Sequence, residues 1–236
     1  MLRSRSFRWL AIAATLACLF SVSAVAWAQS SAEPPDTFWV NYFSNANTAP
    51  TATTEEFVWA INPGTYAPTG FPPSPLCAMI YVFDNRQEMK ECCGCYVSPN
   101  GLLEARLNRD LTSNPFNGIL PRNGDIKLVS TPLGGFPGST AFTCDPTGGG
   151  RLSNGTFAFN LVPVPDLRAW AEHLQIDSPD SGTSPSRFFT EDEFQEATLG
   201  SGELDSLQAR CTDLRTVGSG AGVCTATLTS SVAFCQ

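Results

Sequence analysis

The chain has 236 residues, with 14 basic and 22 acidic side chains and a formal charge of −8. Hydrophobic residues make up 42% of it, which is enough for a sizeable folded core. The acidic balance argues against nucleic acid and anionic lipid head groups as partners, because both repel a negatively charged surface.

The first 28 residues contain the three parts of an export signal in the right order. Arg3, Arg5 and Arg8 form a positive n-region, residues 9–25 are almost wholly apolar, and Ala26-Trp27-Ala28 has the small-x-small pattern of signal peptidase sites. An apolar run of about 20 residues is also long enough to anchor a protein uncleaved in a bilayer. The Ala-x-Ala end favours cleavage after Ala28, so we expect a secreted, periplasmic or cell-surface protein.

Cleavage changes the charge and size of the mature chain. Removing 28 of 236 residues leaves 208, and removing three of the 14 basic residues leaves 11 against 22 acidic ones, a formal charge of −11. Residues 29–37 form a polar, Pro-containing entry segment, and residues 38–236 are predicted to form a single disulfide-bonded domain. The mature chain has no second apolar run long enough to span a membrane, so no membrane span is expected in it.

Eight short segments rich in β-branched and aromatic residues are predicted to be strands. In chain order they are Phe38–Phe43, Phe57–Ile61, Cys77–Phe83, Cys92–Val97, Leu102–Leu107, Ile126–Ser130, Thr156–Val162 and Val223–Phe234. In the second of them, Phe57, Trp59 and Ile61 alternate with smaller residues, so we expect these three side chains to face a core.

The connections between these strands carry Pro, Gly, Asn and Asp, as in Asn62-Pro63-Gly64 and Pro99-Asn100-Gly101. A parallel sheet would need helical crossovers between its strands, and this part of the sequence has no helical pattern. The sequence therefore predicts a mainly β fold, an antiparallel β-sandwich of the Ig-like or jelly-roll-like kind.

Helical patterns occur only near the C-terminus, where they predict a helical insertion over residues 166–217. Within Asp166–Ile176, apolar residues recur at helical spacing, at Leu167, Trp170, Ala171 and Leu174. Asp166 lies where a side chain would cap the first turn.

A second helix start is predicted at Thr190, since Thr190 and Glu193 have capping-box spacing and Phe189 and Phe194 have hydrophobic-staple spacing. We expect Gly200 to interrupt this helix and Ser201 to cap a new one. The apolar stripe then continues to Gly218 through Leu204, Leu207, Cys211 and Leu214.

The chain has nine cysteines, and loss of Cys18 with the signal leaves eight. They are Cys77, Cys92, Cys93, Cys95, Cys144, Cys211, Cys224 and Cys235. An even number behind an export signal predicts four structural disulfides, although eight cysteines allow 105 pairings. We favour only the pair Cys211 with Cys224, because a short Gly-rich loop after a helix would bring them within disulfide reach.

The cluster Cys92-Cys93-Gly94-Cys95 has two other interpretations. Cys92 and Cys95 form a C-x-x-C that is compatible with redox activity or, together with Cys77, with a thiolate metal site. Thioredoxin-like chemistry needs that motif at the start of a helix, whereas a strand and turn are predicted here. Structural disulfides are therefore the favoured interpretation, and we assign no metal or other cofactor.

Two stretches of the sequence resemble a group of uncharacterised secreted proteins of acidobacterial type. The first is Leu76-Cys77-Ala78-Met79-Ile80-Tyr81-Val82-Phe83-Asp84 with the following Glu91-Cys92-Cys93-Gly94-Cys95. The second is Thr190-Glu191-Asp192-Glu193-Phe194 with the later Gly218-Ser219-Gly220-Ala221-Gly222-Val223-Cys224. The resemblance covers about half of the mature chain and implies secretion, but no activity, ligand or catalytic residue.

No catalytic motif stands out in the sequence. His173, the single histidine, is a candidate general base, but there is no G-x-S-x-G elbow, and we expect a surface or rim histidine. The leading hypothesis is a non-catalytic β-sandwich for adhesion, surface assembly or binding of a carbohydrate or protein, with loop aromatics such as Tyr66 and Phe71 or an open edge strand as contacts. The alternative is a secreted hydrolase with an acid- or His173-based site.

Overall fold

The computed structural model describes residues 37–44, 46–47, 56–133, 143–149, 154–155, 161–177, 186–224 and 235. The predicted signal at 1–28 and nearly all of the entry segment at 29–37 lie outside the described residues. So do most of the predicted strands at 156–162 and 223–234.

Nine strands, one π-helical turn and one α-helix make up the described secondary structure. The strands are β1 Phe38–Phe43, β2 Phe57–Ile61, β3 Leu76–Asp84, β4 Met89–Val97, β5 Leu102–Arg106, β6 Gly124–Pro132, β7 Arg168–Asp177, β8 Ser186–Glu193 and β9 Gln195–Glu196. The π-helical turn is Leu107–Leu111 and the helix, α1, is Glu203–Val217.

The strands form two antiparallel sheets, which confirms the predicted β-sandwich. Sheet A has the order β4-β3-β6-β1-β9, and sheet B has the order β5-β2-β7-β8. The chain passes between edge strands of the two sheets at Ser98–Gly101, from β4 to β5, and again at Phe194, from β8 to β9. The backbone N–H of Phe194 donates to the carbonyl of Ala169, which holds this second crossing against β7.

Sheet A is buried on both of its faces. Alternate residues of β3 enter two different apolar clusters: Ile80 lies in the core between the sheets, whereas Tyr81 lies in a second cluster on the outer face. Leu207, Cys211 and Leu214 of α1 complete that outer cluster. The helix therefore covers the outer face of sheet A, and the apolar stripe predicted for residues 204–214 is confirmed at these three positions.

The rest of the predicted helical insertion is wrong. Residues 168–177 form β7 instead of a helix, and Asp166 has a left-handed backbone (φ 100°) in place of an N-cap geometry. The segment fits both periodicities. Trp170, Ala171 and Leu174 recur at helical spacing, whereas Ala169 and Ala171 alternate with the larger Trp170 and Glu172 as in a strand. Pairing with β2 on one side and β8 on the other decides in favour of the strand.

The helix start predicted at Thr190 is also wrong, since Ser186–Glu193 form β8 along the edge of sheet B. The only α-helix of the described residues begins later, at Glu203, after a left-handed Gly202 (φ 76°). It ends as predicted at Gly218, whose N–H donates to the carbonyl of Leu214. No helix within the described ranges is long and apolar enough to cross a membrane.

All eight predicted cysteines form disulfides. The pairs are Cys77–Cys144, Cys92–Cys211, Cys93–Cys224 and Cys95–Cys235. The favoured pair of Cys211 with Cys224 is wrong, because both residues bond instead to adjacent cysteines of β4. Four disulfides fit an extracellular, oxidising environment.

The side chains of Cys92-Cys93-Gly94-Cys95 alternate between the two faces of β4. The Cys93 and Cys95 side chains lie in the core between the sheets, whereas Cys92 lies in the outer cluster and bonds to α1. Gly94 also faces outward, where a Cβ would collide with the carbonyl oxygen of Cys144 and lie 2.8 Å from the Met79 sulfur. Only glycine allows residue 144 to pack so closely on the strand.

Candidate aromatic binding face

The outer face of sheet B carries aromatic side chains that the sequence predicted for the core. In β2 the residues packed between the sheets are Val58 and Ala60, which are 2% and 0% exposed. Phe57, Trp59 and Ile61 point the other way and are partly exposed, so the expectation that they face the core is wrong. At β2 and β7, sheet B contributes only small residues to this apolar core, and sheet A contributes large ones such as Trp39, Phe43 and Ile80.

Pairing between β2 and β7 places a second tryptophan beside the first. Trp59 lies directly opposite Trp170, and their nearly parallel rings (12°) have centroids 6.3 Å apart. The ring of Phe57 lies 5.7 Å from that of Trp59 at an angle of 23°. We call Phe57, Trp59 and Trp170 with the carboxylates around them the aromatic face.

Carboxylates flank these rings on both sides. On β5, Glu104 lies opposite Trp59, and on β8, Glu193 lies opposite Trp170. In the next set of paired residues across the sheet, Glu172 of β7 lies opposite Phe57 on one side and Glu191 on the other. The rings are therefore bordered by acidic side chains on three of the four strands of sheet B.

The carboxylates of Glu172 on β7 and Glu191 on β8 lie directly opposite each other. Burial raises the pKa of Glu172, and the negative charges of Glu191 and Glu104 raise it further, while the Trp59 side chain opposes the shift. Like charges directly opposite each other on a sheet are destabilising. On the other side of the rings, the Arg106 guanidinium lies 5.6 Å from the centroid of Phe57, a cation–π distance.

A shallow cleft of about 310 Å³ opens beside Trp170. It is lined by Arg168, Ala169, Trp170 and residues 191–193, so it combines an aromatic wall with charged hydrogen-bonding groups. Such a surface suits a ligand that has both apolar faces and O–H or N–H donors.

Comparison of the chain with protein-family models, with curated proteins and with solved structures finds no match. The indication of function therefore comes from the residues of the chain themselves.

The aromatic face escaped sequence prediction, although a signal for it exists. Val58 and Ala60 alternate with larger residues in β2, and Ala169 and Ala171 do so in β7, so each strand has one side of small residues that can pack against large side chains of the other sheet. The two loop aromatics that the sequence predicted to be exposed, Tyr66 and Phe71, differ in their burial. Phe71 is 69% exposed, as predicted, whereas Tyr66 packs against the core.

His173 is not the surface or rim histidine that the sequence predicted. It lies on β7, is only 1% exposed, and stacks against the ring of Tyr42 with centroids 4.5 Å apart. Neither ring nitrogen has a hydrogen-bond partner among the described residues, and the Asp192 carboxylate is 3.8 Å from Nε2. Burial lowers the pKa of His173, while Asp192 opposes the shift. The imidazole ring is therefore almost fully shielded from solvent.

Replacement of this histidine by phenylalanine is expected to stabilise the fold. His173→Phe keeps a ring against Tyr42 and removes buried, unpartnered nitrogens, so we expect a gain of roughly 1 kcal/mol at pH 8. The gain should be larger at pH 5, because below its ordinary value of 6.5 the unfolded imidazole takes up a proton that the folded one resists. Urea unfolding at both pH values measures this, and equal gains at pH 5 and pH 8 would contradict a lowered pKa.

Proposed function

We propose that the protein is a non-catalytic, secreted or cell-surface module that binds a polysaccharide through the aromatic face. The supporting observation is the set of nearly parallel rings of Phe57, Trp59 and Trp170 on the outer side of sheet B. None of the three belongs to either buried cluster, and α1 packs on the other sheet.

The chemistry of this face suits a chain of sugars. A sugar ring has an apolar C–H face that packs on an aromatic ring, and its hydroxyl groups donate hydrogen bonds to carboxylates. Glu104 and Glu193 lie at the two ends of the Trp59–Trp170 row, where they could accept such bonds. A binding surface built on paired strands is also rigid, which lowers the entropic cost of binding.

Export through a signal cleaved after Ala28 is part of the same proposal. The four disulfides support it, since such bonds persist outside the cytosol. In this setting the module would serve adhesion or surface assembly by holding a polysaccharide at the cell surface or outside it.

The double variant Trp59→Ala/Trp170→Ala tests the proposed function. We expect it to lose at least tenfold in affinity for polysaccharide, because each aromatic contact contributes roughly 0.5–1.5 kcal/mol beyond the area that it buries. Pull-down and titration against a panel of insoluble and soluble polysaccharides measure the loss.

Phe71→Ala is the matched control, since Phe71 is an exposed aromatic in the loop between β2 and β3 and not on the aromatic face. It should bind like the unmodified protein. If the tryptophan variant binds as well as the control, or if the unmodified protein binds no polysaccharide of the panel, the proposed function is wrong.

A secreted hydrolase is the second candidate, and the raised pKa of Glu172 beside Glu191 and Glu104 is the observation that favours it. Glycoside hydrolases use two carboxyl groups, one of which is protonated. Release of soluble sugar from the same polysaccharide panel, abolished by Glu172→Gln, would establish this activity, whereas binding without release would favour the module.

A further inference from the structure

We infer that the polysaccharide bound by the aromatic face carries protonated amino groups, as a polymer of deacetylated amino sugars does. This inference rests on the proposed function and names the ligand class of the same site. It is carried by charge complementarity between such a polymer and the carboxylates around the rings.

The strand register places these carboxylates along the aromatic rings. One row across sheet B is Glu104, Trp59, Trp170 and Glu193, and the next is Arg106, Phe57, Glu172 and Glu191. Strands lie about 4.8 Å apart, so the first row extends over roughly 14 Å, with an acidic residue at each end. A glycan lying on the rings would therefore meet carboxylates at several of its sugars.

The charged groups of this face are unequal in number and in placement. Among the residues whose side chains the structure describes, its cations are Arg106, which lies over Phe57, and Arg168, whose guanidinium is 3.7 Å from Glu196. Its anions are the four glutamates at 104, 172, 191 and 193. A polymer of uronic acids or sulfated sugars would be repelled by this excess.

An ammonium group would relieve a conflict that a neutral sugar leaves in place. Glu172 and Glu191 lie directly opposite each other, and burial and neighbouring negative charges raise the pKa of Glu172. A cation between two like charges converts their repulsion into two attractions, with the larger effect where water is partly excluded.

Two oligosaccharides that differ only in acetylation provide the test. We expect the mature protein to bind a glucosamine hexamer roughly tenfold more tightly than the N-acetylglucosamine hexamer at pH 6 and low salt, because several exposed ion pairs that are each weak act together on one chain. The preference should shrink at 0.5 M salt, since screening weakens exposed charge pairs. Isothermal titration calorimetry measures both affinities.

Carboxylate-to-amide variants separate this site from general attraction to an acidic protein. Glu172→Gln/Glu191→Gln should lose most of the preference, through weaker binding of the glucosamine hexamer. The control Asp205→Asn/Asp213→Asn removes the same charge from exposed positions on α1, which packs on the other sheet, and should keep the preference. If the control loses the preference as well, or the site variant keeps it, the inference is overturned.

The outcomes also distinguish this inference from the proposed function. If both hexamers bind equally and Trp59→Ala/Trp170→Ala abolishes both, the polysaccharide function stands and the inference on amino sugars is wrong. If neither hexamer nor any polysaccharide binds, the proposed function fails and the inference fails with it.

Discussion

Glu91→Gln should stabilise the protein by about 3–5 kcal/mol at pH 8 and leave its stability nearly unchanged at pH 4. Glu91 lies on β4 and is 0% exposed. Burial raises its pKa to about 8, although a hydrogen bond from the backbone N–H of Asn114 partly opposes the shift. The effect is large because a carboxyl is buried without a cation beside it in the described structure.

The contacts of Glu91 show why the amide is a suitable replacement. Its Oε1 accepts the Asn114 N–H at 2.6 Å, and its Oε2 has no hydrogen-bond partner among the described residues. The Asn114 side chain in turn donates to the carbonyls of Gly220 and Val223. A glutamine keeps the accepting oxygen, and its amide nitrogen takes the place of the protonated oxygen.

The sign of the pH dependence follows from the raised pKa. Below its ordinary value of 4.5 the carboxyl is protonated in both the folded and the unfolded state, so it adds no pH dependence. Between pH 4.5 and about 8 the unfolded chain gives up this proton and the folded chain keeps it, so stability falls as the pH rises. Glutamine does not titrate, and this loss disappears.

Urea unfolding of both proteins at pH 4 and pH 8 measures the prediction. Asp213→Asn, on the exposed side of α1, is a control for the loss of one negative charge and should show no comparable gain. Parallel stability curves for Glu91→Gln and the unmodified protein across this pH range would contradict a buried, protonated Glu91.

Removal of the Cys77–Cys144 disulfide is expected to cost about 4 kcal/mol, and removal of Cys92–Cys211 only about 3 kcal/mol. The first bond closes a loop of 67 residues that no other disulfide shortens. The second spans 119 residues, and by length alone it would be expected to contribute more.

The neighbouring disulfides reverse that order. Cys93 bonds to Cys224, so with Cys92–Cys211 removed the chain is still closed one residue further along β4 and 13 residues beyond Cys211. The freedom regained is therefore that of a loop of about 14 residues. Loop-closure entropy grows with the logarithm of length, and the difference between the two deletions follows from it.

Chemical unfolding of the variants Cys77→Ala/Cys144→Ala and Cys92→Ala/Cys211→Ala tests this order. Both remove two buried sulfurs, so the loss of packing is similar in the two cases. A larger cost for the Cys92–Cys211 deletion would show that its contact between β4 and α1 outweighs chain entropy.

Strand positions could be predicted from sequence because their signals are local. β1 and β2 have the predicted bounds, and β3 to β6 overlap the predicted segments. Each of these strands combines β-branched or aromatic residues with flanking turn residues. These two signals do not depend on what the strand packs against.

The helices predicted at 166–176 and from Thr190 do not form, because the local helical signals conflict with strand pairing between β7 and β8. Thr190 and Glu193 have the spacing of a capping box, but the same residues alternate along β8 opposite β7. The disulfide pairing failed for a related reason, since the position of β4 between α1 and the core is a tertiary property. The aromatic face likewise depends on which side of β2 the other sheet covers.

The order in which the cysteines are bonded determines how the protein responds to cleavage by a protease. Cys92, Cys93 and Cys95 bond in the same order to Cys211, Cys224 and Cys235, and the Cys77–Cys144 bond overlaps the span of these three bonds. One peptide bond cut anywhere between Cys77 and Cys235 therefore leaves two fragments that are still joined covalently. Nicked molecules of this protein would keep their full mass until a reductant reached them.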